Sequence, residues 1–506
     1  MKTGVRGLMG LVLAGVLAMT GAPPAVADEV VTIPDAALAA CITRNLTGAG
    51  LPADLSAANV AKLTKLACAA ADGVVADLTG VDTLVGLTSV TLRMDGPLDL
   101  GPLTTLPKLI SLTLNLGQVT RVEVPGSLRL NSLVLSTRET HLPVTSVLDA
   151  RTVTVSGQFL ETLDGLGPIE ADYGRVYSDY LTDVRALATA TVDDLIVQGA
   201  AGLDLRGVGE VSGVRTLAIQ RKAASYAGLA GLDTLRTLTL KGVVGASDLK
   251  TLPELPALDK LTVTASNLTA LPSLDNLPAL ASLTINADSQ FTSLGDAGSL
   301  KRLHEIHARS AALADISALS GSSGLTTVDL AYNLIVDISP LAGDAALATA
   351  DLSGNRIVDI SPLAGASALT SLNLYGNRIV DASPLAGLTS ASINLSSNRI
   401  ADVSPFAHFV AGSLNLSDDR ITDISTLTGL GDGIVLNLAS NAITDFSALT
   451  YWTGQLSATG QYIALPDAVA GVPHPMGRAL KGADGKDLLQ LRGSLVDGFL
   501  RYDTSG

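Results

Sequence analysis

Large and charged side chains are scarce in this chain of 506 residues. Aromatic residues make up 3% and charged residues 16%, whereas hydrophobic residues make up 47%. Sites for small ligands are usually concave and lined by aromatic and other apolar side chains. Leucine and alanine must therefore supply most of the core. This composition favours a stack of small, regular units over a compact enzyme domain built around one pocket.

Cysteine and histidine are also rare, with two and five copies. Two cysteines exclude a zinc site with four cysteine ligands, and the chain contains neither a G-x-S-x-G elbow nor a P-loop. The stretch His304-Glu305-Ile306-His307 has i, i+3 spacing instead of the i, i+4 spacing of a metalloprotease helix. On the strand predicted there, its two histidines face opposite sides. We therefore expect no catalytic residue, no metal and no cofactor.

Charge and hydropathy narrow the possible partners. The formal net charge of −15 repels nucleic acid and anionic membranes. No apolar run reaches the roughly 20 residues that a membrane-spanning helix needs. Residues 1–27 have the order of a secretory signal, with Lys2 and Arg6, then an apolar run, then Ala25-Val26-Ala27. We expect a secreted, extracellular monomer, loosely associated with a cell wall at most.

A repeat dominates the second half of the chain. From Leu325 onward an L-x-x-L-x-L-x-x-N frame returns every 22 or 21 residues. On a short strand the frame leucines point inward and the residues between them point outward. A buried asparagine amide can bond backbone groups of adjacent coils, so its copies predict a ladder. These copies are Asn333, Asn355, Asn377, Asn398 and Asn441, with Asp419 in one place.

An Asp-Ile-Ser-Pro-Leu segment closes most of these coils. We expect its serines to be N-caps, with proline at the first position of a short helix, at Ser339, Ser361, Ser383 and Ser404. One acidic residue per coil permits two interpretations. The column could bind calcium, or each carboxylate could accept hydrogen bonds from the amides of its own turn. The second is favoured for Asp337, Asp359, Asp381, Asp402, Asp423 and Asp445.

The frame predicts an α/β solenoid of the leucine-rich repeat type. A parallel β-sheet forms its concave side, and short 3-10 helices or turns lie opposite. We place about 18 coils at residues 63–454, irregular over 126–213 and regular over 303–454, with a strand wall of about 80 to 90 Å. Residues 28–62 form a helical cap, and 455–506 form a short β extension. Ile33-Pro34-Asp35 opens the first helix of the cap, and Ser56 can cap a second short helix, which carries Val60 and Leu63.

The two cysteines, Cys41 in the first cap helix and Cys68 on the first strand, lie at the start of the array. In an exported chain we expect a disulfide between them, the alternative being two free thiols. The bond would stabilise the cap by about 3.5 kcal/mol in the chain-entropy account.

The cap sequence VTIPDAALAACI, the 22-residue coil and the repeated D-I-S-P-L-A segment resemble internalin-type leucine-rich repeat proteins of bacterial surfaces. The resemblance covers residues 30–90 and 310–454. The tail from Leu456 is similar to the start of the immunoglobulin-like adaptor of that family, but it is too short for a full sandwich. The resemblance implies receptor binding through aromatic residues on the strand wall. This chain departs from that pattern because it has few aromatics.

Binding on the outward strand positions is the leading hypothesis, with a protein or a glycan as the ligand. Tyrosine and arginine are the usual anchors of interfaces, and Tyr173, Arg175 and Tyr177 alternate on one predicted strand. Alternatively, these tyrosines turn inward to replace missing leucines. Five further candidates on the wall are Lys241, Glu305, His307, Arg309 and Tyr375. A rigid spacer without a ligand site is the alternative function, and an exported hydrolase is the third.

Overall fold

The computed structural model describes residues 29–295, 302–322, 324–450, 452–464, 493–496 and 499–502. The predicted signal segment, 1–27, lies outside the described residues. No helix among the described residues is long and apolar enough to cross a bilayer.

Short strands occur at regular intervals along the described chain. In chain order they are β1 Lys65–Ala67, β2 Ser89–Met94, β3 Ser111–Leu116, β4 Leu130–Thr137, β5 Leu148–Gly157, β6 Ile169–Tyr177, β7 Thr191–Gln198, β8 Leu203–Asp204, β9 Thr216–Ile219, β10 Ala223–Ser225, β11 Thr237–Val244, β12 Lys260–Ser266, β13 Ser282–Asn286, β14 Glu305–His307, β15 Thr327–Asp329, β16 Thr349–Asp351, β17 Ser371–Asn373, β18 Ser390–Asn394, β19 Ala411–Asn415, β20 Val435–Asn437, β21 Gln455–Ser457, β22 Gln461–Ala464, β23 Gly493–Val496 and β24 Phe499–Tyr502.

Nineteen of these strands form one sheet, which is parallel at every pairing from β1 to β21. At about 4.8 Å per strand the sheet is about 86 Å long. Strands β8 and β10 pair separately, and β22, β24 and β23 form a small antiparallel sheet. The predicted solenoid and its β extension are confirmed.

Each coil buries alternate strand residues and returns through a turn. In β3, for example, Leu112, Leu114 and Leu116 are buried whereas the residues between them are not. The returning segments form short 3-10 helices over Ala70–Asp72, Val81–Thr83, Gly101–Thr105, Arg185–Thr189, Val208–Glu210, Tyr226–Leu229, Ser317–Leu319, Ser339–Leu341, Ser361–Leu363, Ser383–Leu385, Ser404–Phe406, Leu427–Gly429 and Ser447–Leu449, and a short α-helix, α3, over Ala246–Leu249. No coil could bury its apolar face alone, so stability arises between neighbours.

The stretch predicted to be irregular contains the longest strands. β4, β5, β6 and β7 have 8, 10, 9 and 8 residues, whereas β14 to β17 have 3 each. The parallel sheet runs through this stretch without a break. The strand wall is therefore widest at β5 and β6, and the strands β4–β7 offer more outward positions than those of the regular coils.

The N-terminal cap consists of helices α1 (Ala36–Gly48) and α2 (Ala57–Val60). Asp35 caps α1 by accepting from the Leu38 amide at 2.8 Å, and it also accepts from the Ala76 amide. The predicted disulfide is present between Cys41 and Cys68. Together these contacts hold the helix against the edge of the first coil.

Three details of the cap differ from the predictions. Cys68 follows β1 instead of lying within it. Ser56 occupies the N-cap position of α2, but its buried hydroxyl makes no hydrogen bond and caps nothing. Leu63 lies beyond the end of α2, because that helix is only one turn long.

The asparagine ladder is confirmed. Asn355 donates to the carbonyls of Leu330 and Leu352 at 3.0 and 2.9 Å, and its Oδ1 accepts from the Ile335 amide at 3.0 Å. Asn333, Asn377, Asn398 and Asn441 are buried in the same way. Each amide thus joins its own coil to the preceding one.

The ladder ends later than predicted. Gln461 is fully buried and takes the asparagine place, because its amide donates to Leu438 and accepts from Ile443. β21 also pairs with β20 in the main sheet. The boundary predicted at residue 454 was therefore wrong, and the last coil extends to Gln461.

The acidic column bonds its own turns. Asp337 accepts from the Ser339 amide at 2.7 Å, and Asp359 accepts from Ser361 at 2.8 Å. The hydrogen bond from the Ser361 amide lowers the pKa of Asp359. The predicted serine N-caps were wrong by one residue: Ser339 is the first residue of its 3-10 helix, and the preceding Ile338 is the N-cap. The same shift applies to Ser361, Ser383 and Ser404. The hydroxyl of Ser339 donates to Asp337 at 3.0 Å instead of capping the helix.

Candidate functional site

Tyr173, Arg175 and Tyr177 lie on β6 and all face outward. Tyr173 is 39% exposed, Arg175 is exposed and Tyr177 is half-buried. Gly174 and Val176, which alternate with them, are buried. The strand therefore presents two phenol rings and a guanidinium on one side of the widest part of the wall. We call these three residues the wall patch.

The alternative, in which these tyrosines turn inward, was wrong. The inward position is Gly174, which aligns with Val153 of β5 and Leu195 of β7. A Cβ on Gly174 would lie 3.0 Å from a methyl of Val192 and 3.2 Å from a methyl of Leu195. Because neighbouring side chains already fill the space of the missing leucine, no room remains there for a phenol ring.

Two further exposed rings lie beside the wall patch, at the carboxyl ends of the strands. Phe159 follows β5 and Tyr180 follows β6, and they are 44% and 52% exposed. Their ring centroids are 5.9 Å apart, with the planes tilted by 48°. Sequence reasoning missed both residues because they lie outside the strand frame. The available signal was the crowding of three of the nine tyrosines into residues 173–180.

These two rings and Tyr177 border a cavity of about 470 Å³, which we call the end cavity. Its lining consists of Ser136, Ser156, Gly157, Gln158, Phe159, Tyr177, Ser178, Asp179, Tyr180 and Gln198. A second cavity, of about 330 Å³, shares Ser136 and continues along the strand ends to Cys68 at the N-terminal cap. The carboxyl ends of β1 to β7 thus border two adjoining concavities.

The charged groups around the end cavity are largely neutralised. Asp179 forms an ion pair with Arg221 at 2.7 Å and accepts from the side-chain amide of Gln198 at 3.0 Å. Arg175 makes no ion pair with any described residue. The region therefore offers aromatic faces, hydroxyl and amide groups, and one uncompensated guanidinium.

Glu305, His307 and Arg309 lie together on and just after β14. Ser282 of the preceding coil donates to Glu305 at 3.0 Å, and aspartates of the next two coils contact His307 and Arg309. Arg309 contacts Asp329 at 3.2 Å and Asp351 at 2.7 Å. The imidazole of His307 lies 3.8 Å from Asp329. Because Arg309 already bridges two carboxylates, it is less free to meet a ligand than Arg175.

The predicted site residues do not form a single site. Lys241 lies exposed on β11, and Tyr375, which is 38% exposed, follows β17. The pairings place β17 nine strands from β6. That separation is about 43 Å. The structure instead divides the candidates between the wall patch, the cluster at β14, Lys241 and Tyr375.

The outward rows of the regular coils bond among themselves. Asp351 accepts from the hydroxyl of Ser353 at 2.6 Å, and Asn394 accepts from that of Ser396 at 2.7 Å. Ser353 is 1% exposed and Ser396 is 5% exposed. Both serines are therefore buried and bonded within their own coils, and the sheet face of these coils presents little free polar surface.

No cluster of three or more metal-ligating side chains occurs among the residues that the structure describes. This includes the acidic column, whose carboxylates face their own turn amides.

No protein-family model matches the chain, and no curated protein matches it in sequence. Among solved structures, the chain is similar to an internalin, InlF, from Listeria monocytogenes, at 21% identity over 85% of this chain and 96% of that one, with a TM-score of 0.32. It is similar to InlJ from the same organism at 17% identity, 93% and 90% coverage and a TM-score of 0.40. A leucine-rich repeat protein of Leptospira interrogans has 16% identity, 75% and 87% coverage and a TM-score of 0.34.

The geometry of the chain itself defines its class. Nineteen parallel strands, 3-10 turns opposite them and a ladder of buried asparagines make it a leucine-rich repeat protein. Internalins, which the cap and repeat sequences resemble, occur among the solved structures to which it is similar.

Proposed function

We propose that this protein is an exported binding module that recognises a macromolecular ligand through the outward face of its sheet at β4–β7. The wall patch, Tyr173, Arg175 and Tyr177, supplies the main contacts. The observation that carries the proposal is the exposure of these anchor side chains on one strand, where the wall is widest.

The physical argument rests on what an interface needs. Affinity is concentrated in a few anchors, most often tyrosine, tryptophan and arginine. On the sheet face of the regular coils the polar side chains are short and bond one another, as Asp351 bonds Ser353 and Asn394 bonds Ser396. Arg175 has no ion-pair partner among the described residues, so an acceptor group of a ligand could bind it without displacing an internal carboxylate.

Export is part of the proposal. Disulfides persist in oxidising compartments, and the two cysteines of this chain form one. The order of residues 1–27 is that of a secretory signal. Catalysis is not proposed, because the cysteine, histidine and metal-ligand patterns that would support it are lacking in the sequence.

The test is capture of a surface ligand by immobilised wild-type protein and by a variant carrying Tyr173→Ala, Arg175→Ala and Tyr177→Ala. Extracts of the producing cell's envelope and of candidate host surfaces provide the ligand. The variant should fold like the wild type and lose the ligand. Tyr375→Ala, about 43 Å away, is the matched control and should retain it. Equal capture by the triple variant and the wild type would refute the wall patch as the anchor.

A second role, as a rigid spacer, is favoured for the regular coils by their internal bonding. Asn415 and Ser417 bond each other at 2.8 Å, as Asp351 and Ser353 do. A sheet face whose polar side chains bond one another in this way stiffens the array and gives a ligand little to bind. In this account coils β15–β20 set the distance between the wall patch and whatever follows the array.

A further inference from the structure

We propose that the end cavity binds a neutral sugar ring of a glycan chain, with Phe159 and Tyr180 as its stacking platform. This deepens the proposed function, on which it rests, by naming the chemical class of the ligand at the same part of the wall. The proposal is argued from the rings, from the polar lining and from the charge around the cavity.

The rings offer apolar faces that are open and fixed in place. Phe159 and Tyr180 are about half exposed, and each presents a ring at the mouth of the cavity. The segment carrying Tyr180 is held by Ser178, whose hydroxyl donates to the Leu160 carbonyl at 2.6 Å and accepts from the Tyr180 amide at 3.2 Å. Exposed rings on a braced backbone lose little freedom when a flat ligand stacks on them.

The remaining lining matches the rim of a pyranose. One face of such a ring carries C–H groups and suits an aromatic surface, whereas its edge carries hydroxyls that both donate and accept. Gln198, which lines the cavity, donates its side-chain NH2 to Asp179, and its side-chain carbonyl oxygen remains as an acceptor. Ser136 adds a hydroxyl that can donate or accept, and Ser156, whose hydroxyl donates to the Leu135 carbonyl at 3.4 Å, adds an acceptor. The volume of about 470 Å³ lies within the usual range of about 300 to 1,000 Å³ for small-ligand sites.

The charges disfavour the other ligands that aromatic cavities take. A quaternary ammonium or lysine group seeks uncompensated negative charge beside the rings. Here Asp179, the one carboxylate in the lining, is already paired with Arg221. The positive charge of Arg175 lies on β6, two residues before Tyr177 of the lining, and would repel a cation. A polyanion would meet a chain of net charge −15. A neutral, polyhydroxylated ligand avoids both costs.

The neighbouring cavity indicates a chain instead of a single sugar. It shares Ser136 with the end cavity and extends toward Cys68, and it is lined by the Arg93–Asp95 ion pair and by Arg138. A glycan with one unit stacked on Phe159 could therefore continue along the strand ends toward the N-terminal cap.

The experiment uses saturation-transfer NMR and titration calorimetry on the whole chain. The probes are neutral oligosaccharides of glucose, mannose, galactose, N-acetylglucosamine and N-acetylgalactosamine, with choline chloride and a sulfated oligosaccharide as charged probes. At least one neutral oligosaccharide should bind saturably. Phe159→Ala and Tyr180→Ala should each weaken it about tenfold, as the loss of one aromatic contact predicts. Tyr180→Phe, which keeps the ring, and the distant Tyr375→Ala should leave it unchanged.

Several outcomes overturn the proposal: no saturable binding by any neutral probe, binding that Phe159→Ala and Tyr180→Ala leave intact, or preference for choline or the sulfated probe. These results are distinguishable from failure of the proposed function. If capture of a ligand depends on Tyr173 and Arg175 but no oligosaccharide binds, only the sugar site is refuted. If an oligosaccharide binds but no capture depends on Tyr173, only the role of the wall patch as the anchor is refuted.

Discussion

Replacing Asp419 by asparagine should stabilise the protein, and by more at high pH than at low pH. Asp419 stands at a ladder position, where its Oδ1 accepts from the Ile400 amide at 3.0 Å. Its other oxygen is buried and has no hydrogen-bond partner. At the equivalent place in the preceding coil, Asn398 donates to the carbonyls of Leu374 and Leu395. A carboxylate at residue 419 can donate to none.

The protonation state of Asp419 determines how large the effect on stability is at each pH. Burial raises the pKa of Asp419 from 3.8 to about 7, although the hydrogen bond from the Ile400 amide lowers it. The folded state therefore holds a proton that the unfolded state has released above pH 3.8. Stability is greatest below that pH and declines as the pH rises toward 7, beyond which the loss is complete. This rise in the pKa corresponds to a loss of about 4 kcal/mol, at most, in the free energy of unfolding.

The assay is denaturant unfolding of wild type and Asp419→Asn from pH 4 to pH 8, with amide exchange of Ile400 as the local readout. The difference in unfolding free energy should be about 1 kcal/mol at pH 4, where a protonated acid can still donate. It should grow by about 2 to 4 kcal/mol at pH 8. The reverse change, Asn377→Asp, should create the same pH dependence in a coil that lacks it. A difference that is constant with pH would refute the reasoning.

Three further outcomes are expected. Reduction of the Cys41–Cys68 bond, which closes a 27-residue span, should lower the unfolding free energy by about 3.5 kcal/mol, and the oxidised protein should show no alkylatable thiol. Asn377→Ala should cost about 1 to 3 kcal/mol, because buried carbonyls lose their donor, whereas the exposed Ser371→Ala on the same coil should cost under about 0.5 kcal/mol in denaturant unfolding. Tyr332→Gly should raise the melting temperature and stabilise by about 1 kcal/mol, because Tyr332 has a φ of 57°, a left-handed conformation that glycine adopts without strain.

The architecture could be predicted because the repeat encodes it redundantly. The inward positions of Leu372 and Leu374 are apolar in every regular coil, and Asn377 needs a buried place for its amide. A period of 22 or 21 residues therefore leaves one stacked arrangement. The end of the array was harder, because Gln461 reaches the same carbonyls as an asparagine with one more methylene and does not match the frame. The serine caps were mispredicted because the hydroxyl of Ser339 donates to Asp337, two residues upstream, and Ser339 itself begins the helix.

The site was only partly predictable. Alternation along β6 placed Tyr173, Arg175 and Tyr177 on one face, and a period of two residues suffices for that inference. The roles of Phe159 and Tyr180 could not be predicted because both residues follow the ends of strands, where the two-residue alternation no longer applies. Their meeting depends on the register of β5 against β6, which a single sequence does not specify.

Site-specific photo-crosslinking tests the central claim most directly. A photoreactive phenylalanine analogue replaces Tyr173 in one preparation and Tyr375 in another, and each is irradiated with the same envelope and host-surface extracts. Both side chains are exposed to a similar degree, at 39% and 38%, so their reactivity toward solvent is matched. The account predicts a discrete adduct from the preparation labelled at residue 173 and none from the other. Adducts of equal yield from both, or from residue 375 alone, would contradict it.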